Sequence, residues 1–115
     1  MPRTVDDLQA AISVLVEEDA QFAVRSGGHM PVTSAANIDN GVMIDMSSFT
    51  QIKYNAETSQ VVVGTGLRWE HVYHYLDQYE VTVVGGRVLD VGVGGLLLGC
   101  KCFLMNFPPY EIREG

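Results

Sequence analysis

The sequence is organised around the stretch Phe22-Ala-Val-Arg-Ser-Gly-Gly-His-Met30. Its first residues are typical of a short strand, and a glycine pair follows closely. Adjacent glycines allow positive φ angles that residues with a Cβ avoid, so successive N–H groups can turn toward one point and form an anion-binding concavity. Arg25 would add positive charge beside this concavity, and His29 would place an imidazole at its rim. The alternative is an ordinary tight turn, which these residues by themselves favour.

Length and composition indicate one small globular domain. The chain has 115 residues, of which 47% are hydrophobic and 18% are charged. Its formal net charge of −7 argues against nucleic acid or an anionic membrane as a partner, because both select basic surfaces. The longest apolar run, Val91 to Cys100, is interrupted by glycines and is too short to span a bilayer. The N-terminus shows no apolar segment of the signal-peptide kind, so the sequence leaves the compartment open.

Two groups of residues resemble metal ligands without forming a metal motif. Cys100 and Cys102 lie close together, but a lone C-x-C pair is a weak metal signal and would be strained as a disulfide. Glu70, His71 and His74 fall on a predicted helix, where they supply too few ligands and match no H-E-x-x-H pattern. Solvated helix surface is the favoured interpretation of these three residues, and no metal site is predicted.

Hydrophobic periodicity predicts an α+β arrangement in which short strands accompany two amphipathic helices. Thr4 and Asp7 have the spacing of a capping box at the start of the first helix. The predicted helices are Val5–Asp19 and Arg68–Gln78. The predicted strands are Phe22–Val24, Val42–Asp45, Gln51–Asn55, Gln60–Val63 and Val81–Val84, the third and fourth forming a hairpin. A polar loop is expected from Pro31 to Gly41, a length more typical of functional or disordered segments.

A second glycine-rich segment extends from Gly85 to Gly99. It holds six glycines in fifteen residues, interleaved with aliphatic side chains. A flexible linker would be polar, whereas this pattern indicates a backbone packed closely against something flat or bulky. The segment is not a dinucleotide fingerprint, because Leu97 stands where the third glycine should be. It also lacks the Lys-Ser/Thr of a P-loop.

Four segments in order resemble a known family. They are Val24-Arg-Ser-Gly-Gly-His29, Ile38-Asp-Asn-Gly-Val-Met-Ile-Asp45, Val61-Val-Val-Gly-Thr-Gly66 with Trp69, and Val83-Val-Gly-Gly-Arg87 with Val91-Gly-Val-Gly-Gly-Leu96. Together they resemble the FAD-binding domain of the vanillyl-alcohol oxidase / p-cresol methylhydroxylase (PCMH-type) family, and within it the fungal FAD-linked oxidases similar to berberine bridge enzyme. The resemblance implies that residues 1–99 form the N-terminal portion of such a domain and that 100–115 are a divergent tail.

The resemblance also assigns roles to both glycine segments. It implies that the first segment cradles the FAD pyrophosphate and that His29 is the candidate covalent tether to the flavin. The second segment would run alongside the flavin and its ribityl-phosphate arm. The cofactor-binding residues implied in this way are Arg25, Ser26, Gly27, Gly28, His29, Gly85, Gly86, Val91, Gly92, Gly94 and Gly95.

Several departures from the family narrow the implied function. Members with two covalent links have a cysteine where this chain has Val88, so at most one link is expected. Leu89 and Met30 replace residues that are commonly proline and serine, which alters loop shape. After Gly99 relatives continue into the rest of the FAD domain and a substrate domain, which would supply the catalytic residues. The catalytic residues and the substrate are therefore unknown.

The resulting expectation is the FAD-binding portion of a flavin-dependent oxidoreductase that is inactive as an isolated chain. A small-molecule substrate would belong to the full-length protein, and relatives are commonly secreted. Two alternatives stay open: a truncated, non-catalytic remnant and a small interaction domain. Half an FAD domain would leave apolar surface uncovered, which favours self-association.

Overall fold

The computed structural model describes residues 1–29 and 37–99, and within them it has the expected α+β composition. The elements in chain order are α1 (Val5–Glu17), β1 (Phe22–Arg25), β2 (Val42–Asp45), β3 (Ile52–Asn55), β4 (Gln60–Val63), α2 (Trp69–Asp77) and α3 (Val93–Gly99). None of the helices in the described ranges is long and apolar enough to cross a membrane. Most of the predicted loop after Pro31, both cysteines and the predicted tail lie outside the described residues.

Helix α1 begins with the capping box that its sequence predicts. Thr4 Oγ1 accepts a hydrogen bond from the Asp7 N–H at 3.1 Å. In return, Asp7 Oδ2 accepts from the N–H groups of Arg3 at 3.0 Å and Thr4 at 3.1 Å. These bonds, the one from Arg3 first, lower the pKa of Asp7 because they stabilise its ionised form. The cap therefore fixes where the helix starts and favours a charged carboxylate there.

The same helix ends at Glu17, before the predicted Asp19. Asp19 takes a left-handed φ of 49°, and its N–H donates to Val16 O at 3.2 Å. The N–H of the next residue, Ala20, donates to Leu15 O at 2.9 Å. This pair of bonds is a Schellman motif, which usually has glycine at the left-handed position. Because an aspartate takes the place of that glycine, the sequence gives no signal that the helix ends here.

Strands β1 and β2 form a parallel pair in which Phe22 is opposite Val42 and Arg25 opposite Asp45. Met46 extends the pairing, since its N–H donates to Arg25 O at 2.9 Å. Helix α1 packs on this sheet through a small core of Leu15, Ile44 and Met46. This packing fixes the end of β1, from which the first glycine turn departs.

The predicted hairpin is confirmed. Strands β3 and β4 pair antiparallel, with Ile52 opposite Val63 and Asn55 opposite Gln60. Asn55 Oδ1 accepts from the N–H of Glu57 at 2.9 Å, and so stabilises the connecting turn. The hairpin covers one side of the larger core, whose buried residues are Leu67, Trp69, Val72, Leu76 and Val93.

Two predictions for the region after α2 are wrong. Val81–Val84 forms no strand, although Val81 and Val83 still pack against the larger core in the alternating manner that suggested one. The segment pairs with no neighbouring strand in the described part of the chain, so side-chain burial alone produced the pattern. The second error is that the sequence analysis predicted no helix where α3 lies. This helix forms although Gly94 and Gly95 are poor helix formers.

Candidate functional site

The two glycine segments meet at Gly27 and Gly92. A Cβ added to either glycine would lie less than 3.0 Å from backbone atoms of the other, closer than real Cβ atoms approach. The two backbone segments can therefore touch only because both residues lack a side chain. The contact joins segments that are far apart in the sequence and brings the predicted pyrophosphate turn against the predicted flavin segment.

Ser26 ties the first glycine turn to two other loops. Its Oγ donates to Thr65 O at 2.5 Å and accepts from the Gly94 N–H at 3.2 Å. The second bond satisfies one of the free N–H groups in the first turn of α3, in the manner of a helix cap supplied from a distant segment. Ser26 is therefore a structural centre of the site, and a hydroxyl at this position is required for both bonds.

The turn itself combines a left-handed glycine with N–H groups that have no described partner. Gly28 takes a positive φ of 75°. The N–H groups of Gly27, Gly28 and His29 donate no hydrogen bond to any other residue that the structure describes. Arg25 lies alongside, because a Cβ placed on Gly28 would be 3.6 Å from Arg25 Cδ. The Arg25 guanidinium is in turn held by Asn37, whose Oδ1 accepts from Nη2 at 3.2 Å.

His29 lies at the rim of the turn and is paired with Asp90. His29 Nε2 is 2.9 Å from Asp90 Oδ2, and Arg68 Nη1 is 3.1 Å from Asp90 Oδ1. The side chains of His29 and Asp90 are 42% and 67% exposed, so the pair is open to solvent. The hydrogen bond from His29, and secondly the charge of Arg68, lower the pKa of Asp90. Asp90 is therefore ionised at neutral pH.

Backbone pairing holds Asp90 in place. The Trp69 N–H donates to Val91 O at 3.1 Å, and the Glu70 N–H donates to Leu89 O at 3.0 Å. Arg68 Nη1 also donates to the carbonyl oxygen of Asp90 itself. The start of α2 thus clamps the residues on both sides of Asp90, which fixes the carboxylate relative to the glycine turn.

Gly85 and Gly86 occupy a different environment. A Cβ on either would overlap the indole ring of Trp69, which is only 3% exposed. The flat group against which this part of the glycine-rich segment packs is therefore Trp69. Its Nε1 has no hydrogen-bond partner among the described residues. Cofactor contact by these two glycines stays a prediction, and their identity is already explained by the indole.

The remaining predicted site residues differ in how closely they are packed. Gly94 is buried beside Ser26, and Val91 is half-buried near the larger core. Gly95 is exposed, and a Cβ there would meet no described atom within 4 Å. The structure therefore brings together Ser26, Gly27, Gly92 and Gly94 directly.

Three residues of the site were missed by the sequence analysis. Thr65 contributes only a carbonyl oxygen, for which no side-chain signal exists. Asp90 and Arg68 are distant from each other in sequence and meet only through the pairing of α2 with the second glycine segment. An acidic residue inside that aliphatic, glycine-rich run was the available signal for Asp90.

No cluster of potential metal ligands occurs within the described ranges. The two histidines of α2 differ in what they contact. His71 Nδ1 accepts a hydrogen bond from the Arg68 N–H at 3.2 Å, completing the start of the helix. His74 is exposed, as is Glu70. These positions agree with solvated helix surface.

This fold and this pair of glycine segments define an FAD-binding domain, and comparison with known proteins agrees. A family model described as "FAD binding domain" matches residues 1–103. The FAD-dependent monooxygenase prx3 of Penicillium roqueforti is 41% identical over 99 residues, which are 85% of this chain and 19% of that protein. The chain therefore belongs to the FAD binding domain family. It spans about a fifth of the length of the curated relatives it matches.

Solved structures confirm the fold. BBE-like 1 of Physcomitrella patens superposes with a TM-score of 0.73 at 30% identity, over 85% of this chain and 22% of that one. Glucooligosaccharide oxidase from Acremonium strictum, which carries a 6-S-cysteinyl, 8α-N1-histidyl FAD, superposes with a TM-score of 0.70 at 22% identity, over 85% and 21% of the two chains. The resemblance to PCMH-type and berberine-bridge-enzyme-like oxidases is thus confirmed.

Proposed function

We propose that the turn Arg25–His29 holds the pyrophosphate of FAD and that the chain is the FAD-binding portion of a flavin-dependent oxidoreductase. The observation that carries this proposal is the turn itself. It combines a left-handed Gly28 with three N–H groups that make no hydrogen bond to another described residue. Such groups supply hydrogen-bond donors to an anion without a side chain in the way. When FAD is bound, it supplies the redox chemistry, and this chain supplies position and charge.

Local charge supports a phosphate at this turn although the whole chain is acidic. Arg25 lies against Gly28 and is positioned by Asn37, so a positively charged side chain lies beside the turn. Arginine binds phosphate through a planar set of donors, which favours this residue type there. The carboxylate of Asp90 is already engaged by Arg68, which limits its repulsion of an anion.

His29 is the residue that we propose as the covalent tether to the flavin. It is half-exposed at the rim of the turn, so its ring is accessible to a bound group. A histidyl link of this kind exists in the Acremonium oxidase that shares the fold. That protein also has a cysteinyl link, whereas Val88 stands at the corresponding position here. We therefore propose a single link, through His29.

Oxidation of a small molecule is proposed only for a protein in which the rest of the domain and a substrate domain are present. The chain spans about a fifth of its relatives' length, and the residues it does supply form one side of a cofactor site. By itself, the 115-residue chain is expected to hold FAD weakly and to oxidise no substrate.

A chimera tests this function directly. Residues 1–99 would replace the matching segment of the Penicillium relative, and the purified protein would be precipitated with acid. We expect a yellow pellet, because a covalent flavin stays with the protein, and a colourless pellet for the His29→Ala chimera. His74→Ala is the matched control, since it removes an exposed histidine outside the turn and should leave the pellet yellow. A chimera that binds no FAD at all would contradict the proposed function.

Exposed apolar residues favour one further proposal, association with a second copy of the chain. Phe22, Val24 and Val42 belong to the β1–β2 pair, and each is at least 40% exposed although Ile44, opposite Val24, is buried. In a longer protein these three side chains would be covered by the rest of the domain. Sedimentation of the isolated chain tests the idea: Val24→Lys should convert dimers or larger species to monomers, and a wild-type chain that is monomeric at all concentrations would contradict it.

A further inference from the structure

The imidazole of His29 is held at one of its two nitrogens. Nε2 lies 2.9 Å from Asp90 Oδ2, while no described residue donates to or accepts from Nδ1. An ionised carboxylate only accepts hydrogen bonds. Nε2 must therefore carry the proton in this pair, and in a neutral ring Nδ1 is then the nitrogen with a free lone pair.

We propose that Asp90 is a positioning residue for His29, which fixes the proton on Nε2 and presents Nδ1 as the nucleophilic nitrogen. This inference rests on the proposed function, because a nucleophilic nitrogen matters only if His29 bonds to the flavin. It adds Asp90, a residue of the second glycine-rich segment that the sequence analysis did not assign to the cofactor site. Its effect is exerted entirely through the histidine ring.

The pair also suits the charge change that the bond requires. With FAD bound, an N–C bond from Nδ1 to the methyl group at the edge of the flavin would replace one C–H bond of that methyl group, and two electrons and a proton would pass to the flavin ring. The ring of His29 would be positive when the N–C bond has formed and would then give its Nε2 proton to Asp90 or solvent. Dioxygen, with two protons, would take the two electrons and leave as hydrogen peroxide. A carboxylate beside Nε2 stabilises this positive ring, as the aspartate does in a Ser-His-Asp triad.

Arg68 holds the Asp90 carboxylate in the orientation that this role requires. It binds Oδ1 of Asp90 at 3.1 Å and also donates to the backbone carbonyl of the same residue. The carboxylate therefore has one oxygen held by Arg68 and the other directed to His29. Because Arg68 itself belongs to the start of α2, the histidine is oriented by a chain of contacts anchored in regular structure.

The tautomer of each histidine in the apo chain tests the proposal without any flavin. Ring ¹⁵N chemical shifts would be recorded at about pH 8, where an unperturbed imidazole is neutral. The exposed ring of His74 makes no hydrogen bond to a described residue and serves as the solvent reference. We expect the Nδ1–H form of His29 to be on the order of tenfold less populated than that of His74, a factor in line with a hydrogen bond to a charged group. Equal populations in the wild-type chain would overturn the proposal.

The Asp90→Ala variant should raise the Nδ1–H population of His29 to that of His74. Asp77→Ala removes an exposed carboxylate at the end of α2 and should change nothing at His29. If the alanine variant failed to fold, the wild-type comparison of His29 with His74 would still decide. A folded Asp90→Ala chain with an unchanged His29 tautomer would contradict the proposal.

Asp90→Ala in the chimera described above separates this inference from the proposed function. We expect the variant to retain bound FAD while the acid-stable share falls by about tenfold or more, since removal of the orienting carboxylate from a catalytic histidine slows its reaction by about 10⁴. Retention of the full acid-stable share would overturn the positioning role. Failure of every chimera to bind FAD would instead contradict the proposed function, and the tautomer measurement would stand independently.

Discussion

A methyl group added at Gly92 tests the contact on which the site depends. The Gly92→Ala side chain would lie less than 3.0 Å from the N and Cα atoms of Gly27 and 2.7 Å from Ser26 Oγ. Backbone atoms have no rotamer by which to give way. Overpacking of this kind costs about 1–3 kcal/mol of folding free energy, and we expect the upper end here, about 3 kcal/mol.

Gly95→Ala is the matched control within the same segment. Its added methyl group would meet no described atom within 4 Å, and the residue lies inside α3. Alanine is favoured over glycine in a helix by about 0.8–1.0 kcal/mol. The two substitutions are therefore expected to act in opposite directions and to differ by about 4 kcal/mol in their effect on the free energy of unfolding.

Urea denaturation followed by fluorescence is a suitable assay. The chain has one tryptophan, Trp69, which is 3% exposed in the folded state and reports on the larger core. Gly92→Ala should lower the urea midpoint sharply or leave the chain unfolded without urea, and Gly95→Ala should raise the midpoint. Equal midpoints for Gly92→Ala and the wild type would refute the close approach of the two glycine segments. An equal fall of the urea midpoint in Gly92→Ala and Gly95→Ala would refute it as well.

Three other predictions concern different parts of the chain. Gly86→Ala should shift the emission of Trp69 and destabilise the fold by about 1–3 kcal/mol, because the methyl group overlaps the indole; an unchanged spectrum and urea midpoint would contradict that packing. Thr4→Ala should cost about 1 kcal/mol through loss of the cap, measured as a lower helical signal and urea midpoint, and an unchanged midpoint would argue against the capping box. The pKa of Asp90 is lowered on folding, so its stabilising effect is present above the unfolded value of about 3.9 and is lost as the pH falls through the folded value. The wild type should therefore be more stable than Asp90→Asn near neutral pH, with the difference vanishing in strong acid, and a difference that grows in acid would contradict this sign.

Much of the fold was predictable because local signals agreed with the tertiary structure. The Thr4–Asp7 capping box marked the start of α1, and the β-branched runs marked the hairpin. The failures have physical causes. Asp19 occupies a left-handed position where glycine is usual, and Val81–Val84 buries alternate side chains without pairing. Helix α3 draws support from Ser26, a contact that no local pattern records.

The site was predictable in part for a similar reason. Glycines are visible in sequence, so Gly27, Gly28 and Gly92 were singled out, and the structure gives each a backbone reason, a close approach at Gly27 and Gly92 and a positive φ at Gly28. Their contact with the cofactor stays a prediction. The partner that each glycine contacts was not visible. Gly86 faces Trp69, and Gly27 faces Gly92 rather than open space. Asp90 reaches His29 only after α2 has paired with the second glycine segment.

Amide chemical-shift changes on addition of FAD to the ¹⁵N-labelled chain test the central claim most directly, because they register weak binding and report its position. The account predicts the largest changes at Ser26, Gly27, Gly28 and His29, with little change in the β3–β4 turn around Glu57. Changes centred on that turn, or no change at the four site residues at millimolar FAD, would contradict the assignment of the first glycine turn as the FAD pyrophosphate site.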